Sequence, residues 1–523
     1  MKFLIALLLV SFTDLPGDSV DIIIRNGKVL DGTGNSWYYG DVAIKDGRIV
    51  KIGKLNKLIA TREIDAAGMF VSPGFIDVHT HIEGDEIINP AASNFIYDGV
   101  TSVVTGNCGS SVVDFTRYFS MLDSLKLSIN VASLIGHNNI RKAAMGTANR
   151  APTNEELTKM KGLVEQGMKA GAAGFSTGLI YIPGTYAKTD EVVALAKVAS
   201  AYNGVYASHI RDEADSVAYA INEAIQVGRE ANMPVEISHF KLSGQQNWGR
   251  STETIKMIVD ARNSGLDVTI DQYPYLASST SLSTLMPDWV LSDGQDSIYN
   301  RLQVPAIRSQ VKDYMERKLH RRKLKHFSFA MVASFKHDST YNGKSIEDIN
   351  LLKGRKHKAS EEAETVVEMM EQGGAGMVFH GMGEEDVKYI MKYPFNMFAS
   401  DASIRIFNQG VPHPRGYGTN ARVLAKYVRD EKVISLEEAV RRMTSLPAQK
   451  FHLKDRGLLK EGYAADILIF NDKDVQDMST YENPHQYTKG FKYVLVNGAI
   501  TVENGVQNQT RSGKTLRLTN VEN

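Results

Sequence analysis

A repeated alternation of short apolar strands with longer helical stretches limits what the middle of this chain can form. Helices are predicted at residues 157–169, 189–201 and 216–231, and a capping box, Thr153-Asn154-Glu155-Glu156, opens the first of them. Alternating strands and helices imply a parallel sheet, and eight such units are typical of a TIM-type (β/α)8 barrel. We therefore predict an α/β fold built on such a barrel. The strand candidates are residues 77–81, 103–108, 132–137, 173–177, 205–209, 235–239, 268–273 and 397–401.

A ninth strand candidate and one irregular stretch do not fit this alternation. The ninth candidate is residues 377–380, so one of the nine must lie outside an eight-stranded barrel. The stretch at about residues 285–365 holds Trp289 and a basic run at 317–325. We predict that it is an insertion on a barrel loop, where barrels carry specificity. The basic run is interpreted as a solvated helix face.

Both ends of the chain have the signature of β-hairpins. Asn-Gly and Asp-Gly pairs follow alternating segments, and such pairs favour type I′ turns because these need positive φ at both central residues. Chain termini tend to lie close together, so the two ends are predicted to form one small β-sandwich domain from residues 20–72 and 455–523, beside a barrel of residues 73–454. The turn pairs are Asn26-Gly27, Asp46-Gly47, Asn497-Gly498 and Asn504-Gly505.

The N-terminus suits a secretory signal. Lys2 precedes an apolar run from Phe3 to Phe12, which is too short to span a bilayer. Residues 1–17 are therefore predicted to be a signal peptide without a defined cleavage site, and the protein to be exported to a periplasm or the medium. If the run is only an apolar terminus, the protein is cytoplasmic. No later segment is long and apolar enough to predict a membrane span.

Charge and cysteine content exclude several classes of function. Lys+Arg and Asp+Glu both number 60, so no basic field is predicted to recruit nucleic acid. Cys108 is the single cysteine, so no disulfide can form within the chain. These observations leave a small-molecule enzyme open and say nothing about oligomeric state.

Polar residues fall where the predicted strands end, and a barrel gathers these ends at one face. Residues i and i+2 of a strand point to the same side, so the imidazoles of His79 and His81 can face one centre. Imidazole, thiolate and carboxylate groups suit zinc, and their convergence without a cation would bury polar groups that need partners. The sequence therefore predicts a zinc site. Its candidate ligands are His79, His81, Cys108, His209, His239 and Asp401.

Several segments resemble the amidohydrolase superfamily and, within it, the N-acyl-D-amino-acid deacylases. Residues 73–81, Pro-Gly-Phe-Ile-Asp-Val-His-Thr-His, resemble the superfamily's first-strand signature, and residues 462–466 resemble part of its small β domain. The resemblance runs from about residue 20 across nearly the whole chain. The segments similar to the deacylases are 105–109 (TGNCG), 174–179 (GFSTGL), 208–213 (SHIRDE), 238–241 (SHFK), 273–275 (YPY), 400–401 (SD) and 413–415 (HPR).

The resemblance implies the activity and a role for each site residue. It implies hydrolysis of an N-acyl-D-amino acid to a carboxylate and a free D-amino acid, with Asp401 as general base and acid. His209, His239 and Cys108 would hold the better-occupied zinc. A second, weaker site would use His79, His81, Cys108 and Asp401. The family's positions for binding the substrate carboxylate correspond to Lys241, Tyr273, Ser279 and Arg415. Its position near the scissile carbonyl corresponds to Tyr181.

Two other functions stay open at this stage. A cyclic-amide hydrolase of the hydantoinase or dihydroorotase type would fit the barrel, but the bridging lysine of those enzymes has no counterpart in residues 174–177. A non-catalytic scaffold would be expected to have lost ligands. Asp401-Ala402-Ser403 replaces the family's usual Asp-Gly-Leu, which leaves the substrate side chain and acyl group open. His137 is predicted to lie beside the ligands, His380 and His413 receive no role, and the other six histidines, including His320 and His326, are expected at the surface.

Overall fold

The computed structural model describes residues 19–518, so the predicted signal peptide lies outside the described residues. The strands are β1 Val20–Val29, β2 Tyr38–Lys45, β3 Arg48–Gly53, β4 Ala60–Asp65, β5 Phe70–Pro73, β6 Phe75–Asp77, β7 Val100–Thr105, β8 Asn130–Ser133, β9 Ile135–Gly136, β10 Gly174–Gly178, β11 Val205–His209, β12 Val235–Ile237, β13 Val268–Gln272, β14 Ala277–Ser281, β15 Ala330–Ser334, β16 Gly376–His380, β17 Asn396–Phe398, β18 Ile467–Phe470, β19 Phe491–Val496, β20 Ala499–Glu503 and β21 Val506–Gln507.

The helices lie mostly between the central strands. The α-helices are α1 Asp85–Ile88, α2 Ser93–Tyr97, α3 Phe115–Leu125, α4 His137–Met145, α5 Asn154–Ala170, α6 Thr189–Ser200, α7 Val217–Ala231, α8 Ser251–Asn263, α9 Gln295–Leu302, α10 Pro305–Arg321, α11 Ile346–Leu352, α12 Ala359–Glu371, α13 Glu384–Met391, α14 Arg415–Arg422, α15 Leu436–Met443 and α16 Ser445–Lys450. A π-helix follows α14 at Val423–Asp430, and 3₁₀ turns lie at Gly184–Tyr186, Gln245–Asn247, Leu282–Leu285, Asp288–Val290, Phe327–Phe329 and Ser339–Tyr341.

The capping box predicted at the start of α5 is present. The Thr153 hydroxyl accepts from the Glu156 N–H, and the Glu156 carboxylate accepts from the Thr153 N–H at 2.8 Å. This reciprocal pair satisfies two of the free N–H groups at the helix start. The predicted helices at 189–201 and 216–231 correspond to α6 and α7. No helix among residues 19–518 is long and apolar enough to cross a membrane.

Strands from both ends of the chain join one sheet. Its order is β21-β20-β19-β18-β5-β1-β2-β3, and β4 pairs with β1. β18 from the C-terminal part pairs antiparallel with β5 from the N-terminal part, which joins the two halves. Strands from the N-terminal and C-terminal parts of the chain therefore lie in the same sheet.

The predicted turns are correct at three of the four Gly-containing pairs. Asp46-Gly47 joins β2 to β3, while Asn497-Gly498 and Asn504-Gly505 join β19 to β20 and β20 to β21. The prediction of a hairpin turn at Asn26-Gly27 is wrong, because these residues form a bulge inside β1. A Cβ at Gly27 would lie 2.4 Å from Val71 Cγ2, so the glycine allows β5 to approach.

The central strands pair in parallel. One sheet has the order β17-β13-β12-β11-β10-β9, and a second has the order β6-β7-β8. Only Leu134 separates β8 from β9. A parallel bridge joins Thr80 to Ala402, next to β6 and β17, the outer strands of the two sheets. The alternation of strands and helices is that of an α/β fold, and all carboxyl ends of a parallel sheet lie at one edge.

The ninth strand candidate belongs to a separate sheet. β16 pairs antiparallel with β14 and β15. β15 lies inside the predicted insertion, while β14 and β16 lie just outside its two ends. Helices α9 to α12 pack with them around an apolar cluster distinct from the main core. The irregular stretch therefore has a hydrophobic core of its own.

Candidate active site

The six candidate ligands meet beyond the carboxyl ends of the parallel strands. Three overlapping groups each bring their ligand atoms within 4.8 Å of one another. They are His79 with His81 and Cys108, Cys108 with His209 and His239, and His79 with His239 and Asp401. Residues far apart in sequence thus form one continuous cluster.

The sequence analysis placed these ligands at the last residues of their strands. In the structure most of them lie just past the strand ends. β7 ends at Thr105, β12 at Ile237 and β17 at Phe398, and of the ligands only His209 is a strand residue. Cys108, His239 and Asp401 have φ angles of 53°, 37° and 49°. Positive φ is uncommon for residues other than glycine, and such strain concentrates at functional sites. The turns aim these three side chains at a common centre.

Glycine allows the loop that carries Cys108 to lie close to its neighbours. A Cβ at Gly178 would lie 2.1 Å from the Cys108 carbonyl oxygen. A Cβ at Gly106, where φ is 76°, would lie 2.0 Å from the Leu134 carbonyl oxygen. A side chain at either position would clash with these carbonyl oxygens. The two glycines therefore allow the close backbone packing that positions the thiol.

The Cys108 thiol is the centre of the cluster. Its Sγ lies 3.2 Å from His79 Nε2, 3.5 Å from His209 Nδ1 and 3.6 Å from His239 Nε2. Burial alone would raise the pKa of Cys108, but the His79 and His209 imidazoles lower it well below its usual value. A buried thiolate among imidazoles is the environment of a metal ligand.

Glu213 orients one of the imidazoles. Its Oε1 lies 2.9 Å from His239 Nδ1, which leaves His239 Nε2 directed at the cluster. Lys241 donates to the same carboxylate at 2.5 Å and to the His239 carbonyl oxygen at 3.0 Å. Burial would raise the pKa of Glu213, but Lys241 and His239 hold it well below its usual range. Metal-binding histidines commonly have a carboxylate at the second nitrogen.

A second carboxylate has the same relation to His79. Asp271, a residue of β13, lies 3.2 Å from His79 Nδ1, and its other oxygen accepts from the His239 N–H at 2.8 Å. His79 Nε2 therefore faces Cys108. Two carboxylates, from β13 and from the loop after β11, thus fix the orientation of two imidazoles. Sequence analysis assigned no role to either carboxylate.

Asp401 lies between the imidazoles and a guanidinium. Its Oδ1 is 3.2 Å from His81 Nε2, and its Oδ2 is 2.9 Å from Arg415 Nη1. Burial would raise the pKa of Asp401, but Arg415 and His79 hold it well below its usual value. The carboxylate is therefore ionised at neutral pH and able to accept a proton.

The residues predicted to bind the substrate carboxylate are next to one another. Arg415 Cζ lies 4.5 Å and Lys241 Nζ 5.5 Å from the centroid of the Tyr273 ring. Arg415 donates to the Ser279 carbonyl oxygen at 3.2 Å, while the Ser279 hydroxyl donates to Met377 at 2.9 Å. No atom among residues 19–518 hydrogen-bonds to the buried Tyr273 hydroxyl.

Tyr181 lies beside His209 and lines the same open space as Ser279 and Arg415. Its ring centroid is 4.8 Å from that of His209, and its hydroxyl is 3.0 Å from the Thr280 hydroxyl. Burial and the Cys108 thiol both raise the pKa of Tyr181 well above its usual value. The hydroxyl therefore stays protonated and can donate a hydrogen bond.

An open cavity of about 670 Å³ leads to the cluster, with His209, His239 and Asp401 in its wall. Its wall also includes Lys318, Arg321 and Arg322 of the insertion. The interpretation of the basic run as a solvated face is therefore wrong for Lys318 and Arg322, whose side chains are partly buried in this wall. Residues 317, 320, 321, 323 and 325 of the run are exposed.

The remaining histidines lie away from the candidate ligands or support them indirectly. His137 begins α4 and pairs with Glu191 at 2.8 Å, and neither of its ring nitrogens hydrogen-bonds to a candidate ligand among residues 19–518. His413 Nδ1 accepts from the Arg415 N–H at 3.0 Å, and its ring supports that residue. His380 lines the cavity, and none of the other six histidines is buried.

The donor set fits zinc. His209 Nδ1 and His239 Nε2 lie 2.7 Å apart, so two buried nitrogens face each other with no carboxylate between them. The adjacent thiol makes a Cys-His-His set, and Zn²⁺ favours such nitrogen and sulfur ligands. Asp401, His79 and His81 supply the donors for a neighbouring, more oxygen-rich site. The residues present therefore match the predicted ion.

Comparison with known proteins agrees with this donor set. The sequence profile of the amidohydrolase family matches residues 62–288 and 337–502. The chain belongs to the amidohydrolase family. It is 33% identical to D-aminoacylase of Alcaligenes xylosoxydans xylosoxydans over 522 residues, which cover 95% of this chain and 98% of that protein. It is 34% identical to N-acyl-D-glutamate deacylase of the same organism, covering 96% and 97% of the two chains.

A solved structure is similar over the same extent. It is N-acyl-D-glutamate deacylase from Bordetella bronchiseptica, complexed with zinc and a phosphonate inhibitor that mimics the tetrahedral intermediate. The TM-score is 0.81 and the identity 33%, covering 96% of this chain and all of that one. The resemblance to the N-acyl-D-amino-acid deacylases is thus confirmed. The gap in the profile of this amidohydrolase, residues 289–336, falls in the predicted insertion.

Removing Glu213 should weaken zinc binding. Glu213→Ala deletes the acceptor at His239 Nδ1, whereas Glu213→Gln keeps an acceptor without the charge. Loss of such a supporting carboxylate typically costs about 10–100-fold in metal affinity, so we expect this loss in the alanine variant and a smaller one in glutamine. Competition with a chelator measures it. Identical zinc affinities in wild type and Glu213→Ala would contradict the orienting role.

Proposed function

We propose that this protein hydrolyses the amide bond of N-acyl-D-amino acids to a carboxylate and a free D-amino acid, with zinc as cofactor. The observation that carries the proposal is the cluster of one thiol, four imidazoles and one carboxylate in the wall of an open cavity. The D configuration is proposed from the relatives, whose names specify D-amino acids. The chemistry of the cluster alone would serve either enantiomer.

Cys108, His209 and His239 would hold the ion, with His79, His81 and Asp401 forming a weaker second site beside it. When bound, zinc supplies Lewis-acid polarisation of the amide carbonyl and lowers the pKa of water. Asp401 accepts the proton of the attacking water at its carboxylate. It then donates this proton to the nitrogen of the departing amine, which completes general base and acid catalysis.

Tyr181 and Arg415 assist from the protein side. The Tyr181 hydroxyl donates a hydrogen bond to the carbonyl oxygen as negative charge develops there. Arg415 keeps Asp401 ionised through their 2.9 Å ion pair until substrate enters. Both residues line the open space beside Cys108 and Asp401.

The substrate carboxylate would bind between Lys241 and Arg415. A carboxylate that leaves water must be paired, because burying it alone is very costly. Lys241 and Arg415 both lie against the Tyr273 ring, and the buried Tyr273 hydroxyl offers a donor that the described chain does not use. Ser279 borders the same space. The guanidinium fork suits two carboxylate oxygens, and the lysine adds a point charge.

Arg415→Met should remove the preference for a free carboxylate. Wild type should hydrolyse an N-acyl-D-amino acid much faster than its methyl ester. Truncating one member of a buried charge pair costs about 2 kcal/mol or more, so the acid-to-ester ratio of kcat/KM should fall roughly 30-fold or more in the variant. Steady-state kinetics on the matched substrates measures the ratio.

The ester serves as an internal control, because Arg415 also contacts Asp401. Any general loss from disturbing Asp401 lowers both rates equally and cancels in the ratio. A wild type that hydrolyses acid and ester equally well would contradict the clamp and leave the zinc assignment unaffected.

We also propose that the parallel strands close as one (β/α)8 barrel. Two backbone contacts support closure between β6 and β17. A parallel bridge joins Thr80 to Ala402, and the His81 N–H donates to the Ala402 carbonyl oxygen at 2.9 Å. The barrel would span residues 73–454, with an insertion near 285–365. Residues 20–72 and 455–523 would form the small β-sandwich. Residues 1–17 would direct export, a proposal that rests on the sequence alone.

A hydrolysis screen tests the proposed function. Zinc-loaded protein is given N-acyl-D- and N-acyl-L-amino acids that vary in side chain and acyl group, and released amino acid is measured. We expect activity on D substrates, and the screen also defines the preferred side chain. If the protein hydrolyses cyclic amides and none of the linear substrates, the result would favour a cyclic-amide hydrolase of the hydantoinase or dihydroorotase type.

A further inference from the structure

The insertion holds a second cluster of metal-ligand side chains. It lies apart from the active site and comprises two imidazoles and two carboxylates whose ligand atoms all fall within 4.8 Å of one another. None of the four residues lines the catalytic cavity. The cluster is formed by His326, Glu347, His357 and Glu362.

Each residue comes from a different local element. His326 precedes the 3₁₀ turn Phe327–Phe329, and Glu347 lies in the first turn of α11. His357 lies in the loop between α11 and α12, and Glu362 lies in the first turn of α12. The fold of the insertion therefore brings together residues that share no spacing motif in the sequence.

The contacts divide the cluster into two imidazole–carboxylate pairs. His326 Nδ1 lies 2.6 Å from Glu362 Oε1, and the other oxygen of Glu362 accepts from the Phe327 N–H at 2.7 Å. His357 Nε2 contacts Glu347. The two rings stack with centroids 3.9 Å apart and an interplanar angle of 21°. The two pairs are thus held face to face.

The charges of the cluster need a cation. The Glu362 side chain is completely buried, and an ionised carboxylate is costly to bury without a counterion. Among residues 19–518, the cationic side chains within 4.0 Å of the two carboxylates are these imidazoles and no lysine or arginine. One divalent ion would balance the charges of the two carboxylates.

We propose that His326, Glu347, His357 and Glu362 bind a divalent first-row transition metal ion, with zinc as the reference ion. Two imidazole nitrogens and two carboxylate oxygens are a donor set that Zn²⁺ accepts in four-coordinate sites. This site is independent of the proposed catalytic function. It would join α11 and α12 to the chain that leaves α10.

The position of the site gives it a structural role. α10 carries Lys318 and Arg321 in the wall of the catalytic cavity, and His326 follows it by five residues. An ion held by α11, α12 and His326 would fix the end of that wall. Binding of an ion to the folded state also stabilises the fold by mass action.

Zinc stoichiometry tests the proposal. The double variant Glu347→Gln/His357→Ala alters one of the two imidazole–carboxylate pairs, so the fully buried Glu362 and its partner His326 are unchanged. The matched control is His320→Ala, a change of an exposed histidine on α10. Each protein is saturated with zinc, desalted and subjected to elemental analysis. We expect the double variant to hold one equivalent less than wild type and the control.

Two further results make the test decisive. In Cys108→Ala the insertion should keep its ion, because the two clusters share no ligand. Crystals of zinc-loaded wild type should show an anomalous peak at about 2.0–2.2 Å from the four ligand atoms. Equal zinc in wild type and the double variant, or no anomalous peak at the cluster, would overturn the proposal without affecting the catalytic zinc.

Discussion

Asp401→Asn should lower kcat by about 10²–10⁴-fold, the usual contribution of general acid–base catalysis. Asparagine keeps the size of the side chain and can still hydrogen-bond to His81, but its amide cannot accept a proton at neutral pH. Zinc held by Cys108, His209 and His239 should remain, since none of these residues is changed. Steady-state kinetics on an N-acyl-D-amino acid, with zinc analysis of the same sample, measures both quantities.

The variant also leaves the buried Arg415 guanidinium without its carboxylate partner. Breaking a buried pair costs about 3–5 kcal/mol, so the thermal midpoint should fall and the assay is run well below it. Asp212→Asn is the matched control, because Asp212 lines the cavity without contacting the cluster. A kcat for Asp401→Asn within a few-fold of wild type would rule out the base role.

Cys108→Ala should remove the catalytic zinc and the activity. The thiol contacts three imidazoles, so its loss opens the centre of the donor set. Zinc binding at well-formed protein sites is worth about 10–16 kcal/mol, and the loss of one of three ligands should leave the catalytic site largely empty after dialysis. Hydrolysis should fall by at least the 10²–10⁴-fold expected for Asp401→Asn.

Ser110→Ala is the control for Cys108→Ala, since Ser110 lies on the same loop and is exposed. Zinc is measured in Cys108→Ala with and without the additional change Glu347→Gln/His357→Ala. The difference distinguishes the ion of the active site from the ion proposed for the insertion. Unchanged zinc and activity in Cys108→Ala would show that the metal, if present, is held elsewhere.

The sequence predicted the site better than the backbone that forms it. Polar residues at the ends of apolar strands are unusual, so His79, Cys108 and His239 could be singled out. The positive φ angles of Cys108 and His239 could not be foreseen, because local preference opposes them for residues other than glycine. Surrounding contacts, such as that between Gly178 and Cys108, impose them.

Tertiary contacts also explain the predictions that were wrong. Asn26-Gly27 has the local signature of a turn, yet β5 packs against Gly27 and keeps the chain in one strand. The basic run has helical spacing, but only the packing of the insertion shows which face meets the cavity. Asp271 could have been identified from the sequence. It lies inside a buried strand, and a carboxylate there needs a hydrogen-bond partner.

The most direct test of the proposed function is kcat/KM for an enantiomeric pair of N-acetyl-amino acids with zinc-loaded wild type. We predict rapid release of the D-amino acid, little or no release from the L enantiomer, loss of activity on exhaustive chelation, and recovery when zinc is restored. Equal rates on both enantiomers would contradict the D specificity. Undiminished hydrolysis by metal-free protein would contradict the zinc-dependent mechanism itself.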